Sequence, residues 1–269
     1  MGYGHTWNNN FRWDSNFTLS HNKNKIKELV RDYVHPETGE LINKDRLDVG
    51  GLGKARFILK EGGTLGDLYT QSDLKRDDNG MVDIDPTGIV AIENNLPDIK
   101  LGSVFPKANL AWSNHFSWKG ISLSALFTAR IGGIVYSATE AAMDQYGVSE
   151  RSALARDNGG VLVNNRTLVD AQNYYTTIGS ESGLPQYYTY NATNVRLQEA
   201  SIGYLIPRKW LGNVCDIQVS VIGRNLWMIY NKAPFDPESV ATTDNYYQGI
   251  DYFMLPSTRN IGFNVKINF

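Results

Sequence analysis

The chain has 269 residues, a formal net charge of −2 and 12% aromatic residues, a length that fits one large all-β domain or two ordinary domains. The near-neutral charge gives no electrostatic reason to expect a nucleic-acid partner. No apolar run is long enough for a transmembrane helix, and residues 1–8 lack the basic start and apolar core of a signal peptide. These absences fit a soluble protein. They fit equally well an internal fragment of an exported barrel, whose alternating strands do not register on a hydropathy scan.

The clearest predicted elements are strands in which apolar and polar residues alternate, so that each strand has one apolar face and one polar face. In chain order the apolar rows are Phe11, Trp13, Phe17 and Leu19; Ala108, Leu110, Trp112 and Phe116; Leu123, Ala125, Phe127, Ala129 and Ile131; and Ile261, Phe263, Val265, Ile267 and Phe269. Further strands are predicted over 53–61, 64–72, 192–206 and 214–230. The apolar row changes phase between Leu197 and Ala200, which predicts a β-bulge. One short helix is suggested over 138–146.

Tight turns and long segments alternate between these strands. Tight turns are predicted at Gly62-Gly63, 118–120 and 207–213, and long irregular segments cover 22–52, 73–104, 132–191 and 231–257. A transmembrane barrel has this asymmetry, because short periplasmic turns and long extracellular loops join its strands. About eight strands with four such loops do not suit a small closed barrel, and open sheet edges do not persist in lipid. The sequence therefore predicts an all-β, antiparallel transmembrane barrel of which this chain supplies one portion.

Five motifs, in order along nearly the whole chain, carry a resemblance to a known family. They are Asn22-Lys23-Asn24-Lys25-Ile26; Phe127 through Ile131-Gly132-Gly133; Val195 through Pro207; Gly223-Arg224-Asn225-Leu226 followed by Phe235-Asp236-Pro237-Glu238; and Gly249 through Phe269. In this order and spacing they resemble the SusC/RagA-like TonB-dependent transporters of the Bacteroidetes outer membrane. The resemblance implies that residues 1–269 are the C-terminal portion of a 22-stranded barrel, without the plug, the TonB-contacting segment and the N-terminal strands.

The resemblance also implies a function. The expected protein is a nutrient importer subunit in the outer membrane of a Gram-negative bacterium, which takes up an oligosaccharide or oligopeptide by TonB-dependent active transport. Its implied partners are a SusD-like surface lipoprotein, outer-membrane lipid and, through the N-terminal region outside this chain, TonB; no cofactor is implied. The alternative is a soluble, secreted all-β carbohydrate-binding module. The sequence does not indicate which substrate is transported.

Candidate functional residues are few. Three tyrosine pairs lie in the predicted extracellular loops, where their flat faces and hydroxyls suit a sugar or a peptide: Tyr174 and Tyr175, Tyr187 and Tyr188, and Tyr246 and Tyr247. An interfacial tyrosine girdle or a loop core is the plainer interpretation of any one pair. Arg130, Arg224 and Lys266 alternate with apolar residues and are expected to face a solvated lumen. The resemblance implies that the terminal Phe269 is an assembly signal.

No catalytic or metal-binding constellation is predicted, and the chain is not expected to be an enzyme. The four histidines lie on unrelated segments without metal-ligand spacing, and no sequence resembles a nucleophile elbow. The segments Asp77–Gly80 and Asp157–Gly160 lack the spacing of an EF-hand loop. Their Asp-Asn-Gly chemistry predicts turns.

Overall fold

The computed structural model describes residues 1–7, 10–181, 183–242 and 247–269. The described residues form twenty strands: β1 (Gly2–Thr6), β2 (Phe11–Ser20), β3 (Val30–Val34), β4 (Leu41–Lys44), β5 (Arg46–Leu52), β6 (Ala55–Lys60), β7 (Asp67–Thr70), β8 (Asp73–Leu74), β9 (Ile92–Glu93), β10 (Ile99–Ser103), β11 (Ala108–Trp118), β12 (Ile121–Ile131), β13 (Ile134–Ser137), β14 (Val161–Val163), β15 (Thr167–Val169), β16 (Thr189–Asn191), β17 (Asn194–Ile206), β18 (Asp216–Asn231), β19 (Ile250–Asp251) and β20 (Asn260–Asn268). They also form the helices α1 (Ala138–Gln145), α2 (Glu150–Asp157) and α3 (Ala171–Gly179). In this part of the chain no helix has both the length and the apolar character needed to cross a lipid bilayer.

Seven strands form the largest sheet, named here the wall sheet. Its order is β1-β2-β11-β12-β17-β18-β20, and every neighbouring pair is antiparallel. The strands follow one another in chain order, so the wall sheet is a meander. Within the described residues, β1 and β20 are its two edges. The mostly β content agrees with the predicted fold class, whereas the wall sheet holds seven strands against the expected eight.

Short and long connections leave opposite ends of the wall sheet, because its consecutive strands run in opposite directions. The short connections 7–10, 119–120 and 207–215 lie at one end, named the turn end. The long connections 21–107, 132–193 and 232–259 all begin and finish at the other end, named the loop end. The turn at Lys119-Gly120 has φ values of 47° and 87°, which is the left-handed backbone that a two-residue hairpin requires.

The predicted strands over 53–61 and 64–72 do form, but they do not belong to the wall sheet. They correspond to β6 and β7, which pair with β5 and β10 in a separate four-stranded sheet inside the first long connection. Gly62-Gly63 therefore does not turn at the turn end. The backbones of Gly62 and Gly63 exchange hydrogen bonds with that of Ile26, and Gly66 lies against the ring of Phe105. This turn therefore lies at the loop end. The assignment failed because a strand buried on both faces gives no information about which sheet it joins.

The hydrophobic core of the chain lies in the long connections. The first connection contributes Phe57, Leu68 and Val104, the second Tyr136, Ile178, Leu184 and Tyr188, and the third Ile250. β13 pairs with β16 and, in parallel, with β19, so the second and third connections share a small sheet. The three connections therefore form one packed layer, named here the loop layer, instead of separate flexible loops.

Helix α1 begins where the sequence predicted a short helix, and its N-cap is the side chain of Ser137, which accepts the N–H of Glu140. Helices α2 and α3 were not predicted. They begin at Ser149 and Asp170, whose side chains accept N–H groups three residues later. Ser and Asp are preferred N-caps, so a sequence signal was present at both sites.

Candidate functional site

One face of the wall sheet is apolar across all its long strands. Directly opposed residues of antiparallel strands point to the same face. One row of paired residues runs Trp13, Phe116, Leu123, Ile202, Val221 and Phe263. A second runs Phe11, Trp118, Ile121, Tyr204, Val219 and Val265. A third runs Phe17, Trp112, Phe127, Leu197 and Trp227. Many of these side chains are exposed, so the sheet presents a continuous apolar surface.

The opposite face of the same sheet is polar. One of its rows runs Arg12, Ser117, Ser122, Gly203, Ser220 and Asn264, and another begins Asp14, His115, Ser124 and Ser201. The predicted residues Arg130, Arg224 and Lys266 all lie on this face, opposite Asn194, Glu199 and Gln218. A cavity of about 510 Å³ opens on it, lined by polar groups that include Asp14, His115 and Glu199.

The β-bulge predicted between Leu197 and Ala200 keeps the two faces separate. Leu197 pairs with Phe127 and Glu199 with Leu126, so Gln198 is an extra residue relative to β12, whereas β18 has two residues, Asn225 and Leu226, opposite it. The amide of Gln198 donates to the side-chain oxygen of Asn225 at 2.9 Å. In a regular strand of this sequence Leu197 and Ile202 would point to opposite faces. Because β17 bulges at Gln198, both halves of the strand present their apolar residues to the apolar face.

Aromatic residues mark both ends of the apolar face. At the turn end, the ring of Tyr204 lies 6.3 Å from that of Trp210, and the ammonium group of Lys119 lies 4.9 Å from the centre of Trp118. At the loop end, Trp227 and Tyr230 are exposed. The stretch of β18 from Val219 to Tyr230 is about 36 Å long, or about 28 Å at a strand tilt of about 40°. That height is close to the apolar band of about 25 Å in transmembrane barrels.

The six candidate tyrosines have different environments. Tyr188 is completely buried and Tyr175 nearly so, and neither offers a ring face to a ligand. Burial raises the pKa of Tyr188, whose hydroxyl donates to the buried carboxylate of Asp144 at 2.9 Å. These two tyrosines are therefore part of the loop core, which is the plainer of the two interpretations.

The remaining candidate tyrosines are more accessible or undescribed. Tyr174 and Tyr187 are half-buried at the edge of that core, and burial raises the pKa of Tyr174 to about 12. Tyr247 is exposed and its ring lies 6.2 Å from that of Phe57. Tyr246 lies outside the described residues. The structure thus brings Tyr174, Tyr175, Tyr187 and Tyr188 to one region.

The base of the third connection is fixed by a buried ion pair that sequence reasoning missed. Arg196 of β17 donates to Asp236 at 2.8 Å, and Ser257 donates to the same carboxylate at 2.5 Å. Burial alone would raise the pKa of Asp236, but the hydrogen bonds from Arg196 and Ser257 outweigh it and hold the pKa below its usual value. Arg196 and Asp236 both belong to the motifs that carry the family resemblance. No local pattern links them, because the sequence separates them by forty positions.

The predicted turns are confirmed. The carboxylate of Asp77 accepts the N–H groups of Asn79 and Met81, each at 2.9 Å, and Asn158 caps the end of α2 before Gly159 and Gly160. Within the described residues no group of three His, Cys, Asp or Glu side chains is arranged to hold a metal ion. Phe269 follows the last strand and is exposed.

The chain is similar to known transport proteins. The TonB-dependent receptor P3 of Formosa agariphila is 25% identical over 292 aligned positions, which cover 96% of this chain and 27% of that receptor. The RagAB peptide importer has the same fold in its closed-closed and open-open states, with TM-scores of 0.66 and 0.64 and 16% identity. All of this chain aligns with 28% of that structure's chain in each case. No protein-family model matches the chain.

This chain therefore spans little more than a quarter of the length of the proteins it matches. The sequence similarity runs through nearly all of it, and the fold agrees over its whole length. The curated relative and the structural neighbours make this chain similar to the SusC/RagA-like TonB-dependent transporters of the outer membrane.

Proposed function

We propose that the chain forms part of the wall of an outer-membrane importer that takes up an oligosaccharide or oligopeptide by TonB-dependent active transport, with a SusD-like surface lipoprotein as its partner. The observation that carries the proposal is the wall sheet, in which one face is apolar and the other polar over the same strands. Two such faces require two different solvents. Lipid outside and a water-filled lumen inside provide them.

The apolar face favours lipid by a wide margin. Each large apolar side chain moved from water into an apolar medium contributes about 1.5–3 kcal/mol, and the face carries several of them on every long strand. In the same orientation Arg130, Arg224 and Lys266 face the lumen, and for Arg224, which lies nearest the middle of β18, this avoids a cost of about 2–4 kcal/mol for a cation that faces lipid at the bilayer midplane. Phe269 is the assembly signal in this proposal.

The loop layer forms the extracellular side of the importer. The segments 22–52, 73–104, 132–191 and 231–257 all belong to the three long connections that leave the loop end. In transmembrane barrels the long loops are extracellular and the short turns periplasmic. The edges β1 and β20 are completed by other strands of the same barrel, since lipid does not tolerate unpaired backbone groups.

Peptides and glycans are the two proposed substrate classes. RagAB is a peptide importer, which supports the peptide class through fold similarity. Accessible tyrosines in the loop layer, Tyr174, Tyr187 and Tyr247, suit either class. A soluble, secreted carbohydrate-binding module is not favoured, because monomeric soluble proteins rarely expose an apolar face of this extent.

Site-directed labelling of the full-length protein in intact cells tests the orientation. The native Cys215 is first replaced by Ser, and then Thr38→Cys in the β3–β4 turn and Lys209→Cys in the turn 207–215 are made separately. A membrane-impermeant maleimide is expected to label the Thr38 variant in intact cells and the Lys209 variant only after permeabilisation. Labelling of the Lys209 variant alone would reverse the orientation, and recovery of the protein in the culture supernatant would support the secreted alternative.

Uptake tests the transport activity. Cells that produce the full-length protein are expected to accumulate a labelled oligosaccharide or oligopeptide with an intact tonB gene and to lose that accumulation when the gene is deleted. Equal accumulation in both strains would contradict active, TonB-dependent transport.

A further inference from the structure

A small cleft lies where the three long connections meet in the loop layer. The first connection contributes Leu52 and Gly53, the second contributes residues of α1 and of the α3 terminus, and the third contributes Tyr252 and Phe253. Its volume is about 250 Å³, which is below the range of about 300–1,000 Å³ that is typical of pockets for drug-sized ligands. The cleft is therefore of a size for one ring of a longer ligand.

The floor of the cleft is formed by small residues of α1, Ala138, Ala141 and Ala142. Gly179, at the end of α3, approaches α1 so closely that an added Cβ would lie 2.6 Å from the carbonyl oxygen of Ala141. Gly53 approaches the carbonyl oxygen of Glu181 in the same way, at 2.5 Å from an added Cβ, and its φ is 54°. These close backbone contacts hold α3 on α1 and the first connection on the second at the cleft.

The walls of the cleft are aromatic and accessible. Tyr146, Tyr252 and Phe253 line it and are 76%, 55% and 61% exposed. Phe253 has a φ of 50°, a left-handed backbone that is unusual and unfavourable for a bulky residue. Its N–H donates to Thr139 at 2.7 Å, which fixes the conformation. A strained backbone that holds an aromatic side chain in solvent indicates a functional site.

Tyr136 supplies a polar group at the cleft. Its side chain lines the cleft and is 8% exposed, yet its hydroxyl has no hydrogen-bond partner among the described residues. The hydroxyl oxygen is nevertheless accessible to solvent. Burial raises the pKa of Tyr136 to about 12, so the hydroxyl stays protonated and can both donate and accept. The hydroxyl is therefore open to the cleft and free to hydrogen-bond to a ligand there.

The geometry points to a site for one pyranose ring of a glycan, stacked on Tyr252, Phe253 or Tyr146 and hydrogen-bonded by the Tyr136 hydroxyl. A pyranose has an apolar C–H face and an edge of hydroxyl groups. The aromatic walls match the face, and Tyr136, Gln145 and Glu181 match the edge. This inference rests on the proposed importer function and selects the glycan from its two substrate classes.

A peptide fits the cleft less well. An apolar peptide side chain that filled the cleft would displace water from the hydroxyl of Tyr136 without replacing its hydrogen bond, which costs free energy. Peptide recognition by strand addition requires an exposed strand edge, and none of the residues that line the cleft belongs to a strand except Leu52 and Tyr136. Both of those strands are paired with neighbours.

Binding to the full-length protein in detergent, with any lipoprotein partner that co-purifies, tests the site. The probes are malto-, cello-, xylo-, manno- and polyuronic-acid hexasaccharides, and a pool of random hexapeptides, measured by calorimetry. We expect at least one hexasaccharide to bind, Tyr136→Phe to weaken that binding about threefold to tenfold, and Tyr252→Ala to weaken it about tenfold or more. Tyr136→Phe keeps the buried ring, so it tests the hydroxyl without opening the core.

Tyr33→Ala is the matched control, because Tyr33 is about as exposed as Tyr252 but lies on the β3–β4 hairpin outside the cleft. It is expected to bind like the parent. The proposal is overturned if no hexasaccharide binds, if Tyr136→Phe and Tyr252→Ala bind like Tyr33→Ala, or if these two variants weaken peptide binding instead. TonB-dependent uptake that the cleft variants leave unchanged would overturn the cleft and keep the importer. Glycan binding through the cleft by a protein found outside the outer membrane would overturn the importer and keep the cleft.

Discussion

The guanidinium of Arg196 and the carboxylate of Asp236 lie 2.8 Å apart and join strand β17 of the wall sheet to the third long connection. Their side chains are 6% and 11% exposed. Glu238, on the same connection, lies 3.4 Å from the guanidinium. A buried cation needs a counter-charge, so the pair holds the base of the third connection on the wall.

Replacement of Asp236 by Ala is expected to release the third connection. The change leaves Arg196 buried without its main counter-charge, and loss of one member of a buried pair costs about 3–5 kcal/mol. Limited proteolysis of the full-length protein is expected to cut within 232–259 faster in this variant, while the wall strands remain protected. Asp83→Ala, which breaks an exposed pair with Lys75, is the control and is expected to change nothing measurable. Equal cutting of the two variants would contradict the role of the pair.

Asp98 is expected to stabilise the four-stranded sheet down to acidic pH. Hydrogen bonds from Arg46, opposed by burial and assisted by Lys60, lower the pKa of Asp98 well below its usual value. A carboxylate with a lowered folded-state pKa contributes stability that is present above its unfolded pKa of about 3.9 and is lost only as the pH falls through the folded value. Amide-exchange protection factors in β5 and β6 should therefore be equal at pH 7 and pH 5.

Asp98→Asn removes that charge and is expected to lower the same protection factors at both pH values, by about 1.5–3 kcal/mol of local stability. Protection in the parent protein that already falls between pH 7 and pH 5 would mean that Asp98 does not control this sheet.

The wall strands could be predicted from sequence because one apolar and one polar face impose a simple alternating pattern on them. In β20, Ile261, Phe263 and Val265 alternate with polar residues, and no tertiary contact is needed to explain the alternation. The bulge at Gln198 was predictable for the same reason, since the apolar residues before and after it would otherwise point to opposite faces.

The loop layer could not be predicted in the same way. Phe57, Ile58 and Leu59 are buried in succession, and a continuous apolar run identifies a buried strand without indicating its partners. The cleft residues Tyr136 and Phe253 are brought together by the parallel pairing of β13 with β19 and by the hydrogen bond from Phe253 to Thr139. Such a contact between distant segments has no signature in a single sequence.

Replacement of Tyr188 by Phe is expected to weaken the loop layer and leave ligand affinity unchanged. The hydroxyl of Tyr188 donates to Asp144, which is itself buried beside Arg151, and loss of a donor to a buried carboxylate costs about 1–3 kcal/mol. Protease resistance of 132–193 should fall, with the same dissociation constant for ligand in the intact fraction. Wild-type resistance together with weaker ligand binding would restore Tyr188 as a ligand contact.

Arginine substitutions in β20 test which face of the wall sheet meets lipid. Ile261 pairs with Gly223 on the apolar face, toward the middle of the band from Val219 to Tyr230, and Asn264 pairs with Ser220 on the polar face. Ile261→Arg is expected to abolish membrane assembly, because an arginine facing lipid costs about 2–4 kcal/mol near the midplane. Asn264→Arg is expected to assemble normally. The measurement is the amount of folded, surface-exposed protein in an outer-membrane fraction, and equal assembly of the two variants would contradict the assigned facing.

Single-residue deletions in β17 provide a sharper test of the two faces. Gln198 is the extra residue of the bulge relative to β12. Its deletion makes Leu197 and Glu199 adjacent in the chain, so they point to opposite faces. Their pairing partners, Phe127 and Leu126, are already adjacent in the same way. The hydrogen bond to Asn225 is lost, at a net cost of about 1 kcal/mol. The strand keeps Leu197, Ile202 and Tyr204 on the apolar face, and we expect the deletion variant to assemble.

Deletion of Ser201 removes one residue from the regular part of the same strand and has no bulge to absorb it. Either Ile202 and Tyr204 or the residues before them must then turn to the polar face, since a slip of one residue reverses every side chain. Turning Ile202 and Tyr204 inward removes about 1.5–3 kcal/mol of apolar burial for each, and brings Gly203 and Leu205 out of register with β12 and β18. The Ser201 deletion is therefore expected to fail in outer-membrane assembly where the Gln198 deletion succeeds. If both deletions assemble equally, or if only the Ser201 deletion assembles, Gln198 does not set the phase of the wall.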